Sequence, residues 1–95
     1  MSSRSVERKL RKTSTRLRRL RDELAVIDEQ LAHLVDDTQD KSVRALVADS
    51  PFAAVEHREA IGHSEAMAEH KRHLVAEIGA LEAQQDRLLD ELRLL

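Results

Sequence analysis

One feature constrains this chain more than any other: an unbroken alternation of four- and three-residue steps. Val6, Leu10, Thr13, Leu17, Leu20, Leu24, Ile27, Leu31 and Leu34 follow one another at spacings of 4, 3, 4, 3, 4, 3, 4 and 3. Such a repeat lines up one stripe of an α-helix and asks for a second helix against it. With Leu10 at position a, Leu17, Leu24 and Leu31 share that position, and Val6, Thr13, Leu20, Ile27 and Leu34 take d. The repeat predicts a coiled-coil helix over 3–36, about 50 Å long, with Ser2, Ser3 or Ser5 as its N-cap. Residues 36–41, Asp-Asp-Thr-Gln-Asp-Lys, are turn-forming types and predict the start of a connecting loop over 36–50. Within it, Ser42 is placed to cap a short helix over 42–48 carrying Val43, Leu46 and Val47. Asp49-Ser50-Pro51 is the clearest punctuation, with Ser50 suited to an N-cap and Pro51 to the first helical position.

A second long helix is expected over 51–94. Leu74, Ile78, Leu81, Gln85, Leu88, Leu92 and Leu95 again step by 4 and 3, and Lys71, Met67, Ser64 and Ala60 extend the seam backwards in weaker form. Gly62 and Gly79 fall on outward positions. Two long helices with a short connection fold back antiparallel. The fold class expected is therefore all-α, an antiparallel coiled-coil hairpin, and 95 residues suit one domain over 1–95. One register sets Val6 on Leu92, Leu10 on Leu88, Leu17 on Leu81, Leu20 on Ile78, Leu24 on Leu74 and Leu31 on Met67. It also sets Thr13 on Gln85 as a polar layer that fixes the alignment.

A two-helix hairpin buries little by itself. The second helix carries another apolar stripe at e positions, Ile61, Ala68, Val75 and Leu89, beside the small residues Ala76, Gly79 and Ala83. Unpaired apolar surface implies a partner. The expectation is a homodimer, a four-helix bundle with twofold symmetry whose interface includes Ile61, Val75 and Leu89.

Composition narrows the remaining classes. Phe52 is the sole aromatic residue, and Trp, Tyr and Cys are absent. A sandwich or barrel would want aromatic and β-branched residues, and cysteine-held zinc or disulfides are excluded. Lack of Cys fits a cytoplasmic chain. No apolar run approaches the roughly 18 residues of a membrane span, and no apolar stretch follows Met1-Ser-Ser-Arg-Ser, so neither a membrane partner nor a signal peptide is expected.

Charge is unevenly placed. Residues 1–21 hold nine Lys or Arg against one acid, a net +8, and residues 22–95 hold seven against seventeen, a net −10. Arg4, Arg8, Arg11, Lys12, Arg18 and Arg19 fall on b, c and f, away from the seam, where they are candidate phosphate contacts. Glu77, Glu82, Asp86, Asp90 and Glu91 of the second helix are expected alongside, so neutralisation within the chain is favoured over nucleic-acid binding. A zipper-type DNA reader keeps its basic region outside the leucine repeat and carries an Asn there. Here the repeat runs through the basic segment, and residues 1–21 contain no Asn.

Few patterns suggest site chemistry. The five histidines, His33, His57, His63, His70 and His73, show no His-Glu-x-x-His or Glu-x-x-His arrangement. Asp36-x-Thr38-x-Asp40 opens like a calcium loop, but Lys41 and Val47 stand where Gly and Glu are required. Residues 17–35, with Arg21, Ile27-Asp28 and Leu20, Leu31 and Leu34, resemble the first helix of the small all-helical chorismate mutases. That resemblance implies an active-site substrate clamp at Arg21. The family carries further basic residues on the same helix, where this chain has Asp36, Asp37, Thr38, Gln39 and Asp40. Asp37 and Asp40, with Asp36 beside them, at the end of a helical hairpin resemble the coiled-coil finger of the Gre and DksA type of secondary-channel transcription factor. That resemblance implies an acidic tip offered to RNA polymerase. The reading favoured is a non-enzymatic interaction or regulatory module with no catalytic residues, cofactor or metal. A nucleic-acid or polymerase-binding regulator is one alternative, and a small all-helical chorismate-mutase-like enzyme, which the first resemblance implies, is another.

Overall fold

The computed structural model describes residues 2–95. It is a hairpin of two helices, α1 (Ser3–Ala48) and α2 (Pro51–Leu94), with no strand among the described residues. The Ser2 hydroxyl caps α1, accepting the Ser5 N–H at 3.2 Å. Ser50 does the same for α2, accepting the Ala53 N–H at 3.1 Å, with Pro51 at the first helical position. Between the helices stand only Asp49 and Ser50. Asp49 takes the left-handed conformation, φ 46°, which Asp tolerates better than most side chains, and its N–H donates to the Ala45 carbonyl at 3.3 Å.

The expected loop over 36–50 and the separate short helix over 42–48 are not found: α1 runs unbroken to Ala48. The reason lies in the same repeat. Counting on from Leu34 by 4 and 3 gives Thr38, Lys41 and Ala45, and all three are half-buried. No Gly or Pro interrupts this stretch. Its turn-forming side chains are satisfied within the helix. The Thr38 hydroxyl donates to the Leu34 carbonyl at 2.8 Å, and Lys41 Nζ meets Asp37 Oδ2 one turn back at 3.1 Å.

Contacts divide the chain into two units. One combines the residues up to Leu24 with His73–Leu95; the other is Ala25–Arg72. In the first, Val6, Leu17, Leu20, Leu74, Ile78 and Leu88 are buried, and Leu10, Leu24, Leu81 and Leu92 are half-buried. All ten are seam residues. Thr13, also in the seam, is buried because its hydroxyl donates to the Lys9 carbonyl at 2.9 Å in its own helix. The Gln85 amide donates to the neighbouring Ser14 hydroxyl at 3.1 Å. Arg16 pairs with Glu77, and Arg21 lies 3.9 Å from Glu82.

In the second unit Ile27 and Ala60 are buried, with Leu31, Leu34 and Met67 half-buried. The polar seam positions are answered in pairs. The Ser64 hydroxyl meets that of Thr38 at 3.1 Å. Lys71, at a seam position, carries its ammonium to Asp28 Oδ1 at 2.7 Å. No buried polar side-chain atom lacks a hydrogen-bond partner among the described residues. Gly62 and Gly79 face open space, with nothing within 4 Å of an added Cβ.

Candidate interaction surfaces

Four groups of side chains stand out on the surface. The first is the stripe expected to bind a partner. Val75 is 50% exposed and Leu89 39% exposed, so neither is consumed by the intrachain seam. Ile61, in the other unit, is half-buried.

The second group was not singled out from the sequence. Around the turn, Val43, Leu46, Val47 and Phe52 are 60–82% exposed, the largest such cluster in the Ala25–Arg72 unit. Val43, Val47, Ala48, Phe52 and Ala53 line an open concavity of about 530 Å³, with Arg44 and Glu56 at its border. The signal was present in the sequence: Val43 and Val47 lie one turn apart on one side of Pro51, and Phe52 follows it directly. Reading 42–48 as a detached short helix hid the connection.

The third group is the basic one. Arg4, Arg8, Arg11, Lys12, Arg18 and Arg19 are all exposed. None makes an ion pair among the described residues, whereas Arg16 and Arg21 pair with Glu77 and Glu82. The expected neutralisation thus reaches only the bases that flank the seam. Positions b, c and f turn away from the seam, although Lys12 borders a hollow shared with Gln84, Arg87 and Glu91, and Arg18 one shared with Gln85.

The fourth group, Asp36, Asp37 and Asp40, does not form a tip. All three sit within α1, two to three turns before its end, and Asp37 is paired with Lys41. The acidic fingertip implied by the transcription-factor resemblance is absent at the turn, where Asp49 and Ser50 stand instead. Arg21, the implied substrate clamp, is 55% exposed, lies 3.9 Å from Glu82, and lines an open hollow of about 300 Å³ with Arg18, Asp22 and Gln85. Among the described residues no three His, Asp or Glu side chains gather as a metal site, and no helix is long and apolar enough to cross a membrane. Against this geometry, comparison with known protein families, curated proteins and solved structures finds no match to the chain.

Proposed function

We propose that the protein is a non-enzymatic interaction module that works as a homodimer of helical hairpins. The observation that carries this reading is the surface left over. The chain exposes 6993 Å². A compact monomer of its 10.8 kDa mass exposes about 5,500 Å². The excess, about 1,500 Å² per chain, comes to about 3,000 Å² across a pair of copies, within the range of obligate homodimers. Val75 and Leu89 supply aliphatic contacts for such an interface, and the adjoining Ala76, Gly79 and Ala83 allow close helix approach. A second copy is favoured as occupant because that area matches what a stable dimer buries, and because a twofold pairing uses one patch twice.

Sedimentation equilibrium tests the reading. At micromolar concentration the mass should be about twice that of the chain. Val75→Asp with Leu89→Asp should shift it toward the monomer and lower the melting temperature, because a charge in an apolar interface is left unpaired. A chain that is fully folded and strictly monomeric at that concentration would contradict the proposal.

A further inference from the structure

We infer that the back of α1 is a docking strip for the phosphate backbone of double-stranded DNA. Arg4, Arg8, Arg11, Lys12, Arg18 and Arg19 are exposed, and none of them takes part in the ion pairs of α1. At 100° per residue they fall within about 120° of the helix circumference, opposite the buried seam of Val6, Thr13, Leu17 and Leu20. Thr15 occupies the gap in the middle, and Arg11, Lys12, Thr15, Arg16 and Arg19 line a shallow depression of about 290 Å³ there. Glu7 stands at one edge of the strip, held by the Ser3 hydroxyl at 3.3 Å, and Asp22 ends it. From Arg4 to Arg19 the strip is about 22 Å long. That length of duplex carries about six phosphates on each strand. Six cations in line therefore meet a matching row of anions.

The unit that bears the strip has eleven Lys or Arg against eight Asp or Glu, a net +3, although the whole chain is at −2. The ligand class follows from what accompanies the charges. A single-stranded nucleic acid needs aromatic platforms for its bases, and the one aromatic residue, Phe52, is in the other unit. A membrane surface needs apolar side chains beside the cations, and the strip between Arg4 and Arg19 has none. Residues 4–19 contain no Asn or Gln, the side chains that read an adenine edge. The strip fits a duplex backbone.

The full chain should be titrated by fluorescence anisotropy into a labelled mixed-sequence duplex of about 20 base pairs over a range of NaCl concentrations. The slope of log K against log salt should be about −5, and Arg8→Gln, Arg11→Gln, Arg18→Gln and Arg19→Gln together should reduce it to about −2. At about 100 mM salt that fourfold variant should bind at least about a hundredfold more weakly, while circular dichroism shows unchanged helix. Arg93→Gln, which removes a base of α2 that lies 3.7 Å from Asp90 in the same unit, should change the affinity less than about twofold. Oligothymidine of equal length should bind at least about tenfold more weakly than the duplex. The inference fails if the duplex does not bind at about 50 mM salt, or if the helical fourfold variant binds like the parent. It also fails if oligothymidine or phosphatidylglycerol vesicles bind as well as the duplex. The dimer proposal stands apart from this test, because sedimentation without DNA decides it.

Discussion

Asp49 is the residue at which the chain leaves α1 and reverses. Its place in Asp49-Ser50-Pro51 marks a break plainly, and the caps by Ser2 and Ser50 are equally legible from residue type. The left-handed backbone is not, since many residues end helices without it. With φ at 46°, a β-branched side chain is strained there. Asp49→Val should lower stability by about 1–2 kcal/mol, and Asp49→Asn should change it by less than about 0.5 kcal/mol, as read by thermal melts followed by circular dichroism. Equal melting temperatures for Asp49→Val and the parent would show that the turn adopts another conformation. Thr38 and Lys41 mislead in the opposite direction. Their types suggest a turn, yet Thr38 bonds both to its own helix and to Ser64, and Lys41 pairs with Asp37. A weak local preference yields where side chains such as Asp37, Thr38 and Lys41 find partners on the helix or across the seam.

At the scale of the element, periodicity is the stronger evidence. The steps of 4 and 3 from Val6 to Leu34 identify the buried face of α1, and their continuation through Thr38, Lys41 and Ala45 marks the true extent of the helix. That continuation is hard to see because its residues are polar or small. The same rule runs through α2, where Lys71 and Ser64 hold seam positions by reaching Asp28 and Thr38. Burial along the seam is graded. Leu17 is 1% exposed, so Leu17→Ala should cost about 2–5 kcal/mol in urea unfolding. Leu10→Ala should cost less, because Leu10 is half-buried in the same unit. An unchanged urea midpoint for Leu17→Ala would remove the seam from the account.

For the whole molecule, the buried apolar residues are unequally shared. Val6, Leu17, Leu20, Leu74, Ile78 and Leu88 belong to the unit that includes both ends of the chain, and only Ile27 and Ala60 belong to Ala25–Arg72. Local opening is cheapest where fewest apolar contacts are lost. Amides of Ala25–Arg72 should therefore exchange with deuterium well before those of the other unit, as measured by mass spectrometry of peptic fragments. Uniform protection along both helices would show that the units open together. The hairpin and its seam were legible because they rest on repeated spacing over many residues. The surfaces were less so. Whether Arg8 or Arg16 is neutralised depends on which side of α1 each occupies, and whether Val47 joins Phe52 depends on a turn of only two residues.

That brevity bears on how two copies can meet. Two long helices joined by two residues are an invitation to domain exchange, in which each chain straightens into one continuous helix and lends its second half to a neighbour. Pro51 stands against this. In an uninterrupted helix its ring would collide with the carbonyl of Val47, its missing N–H would leave that carbonyl unbonded, and Ser50 would be pushed out of helical backbone. The penalty is about 3 kcal/mol for each straightened chain. The dimer proposed above would thereby be one of closed hairpins, each keeping its own second helix.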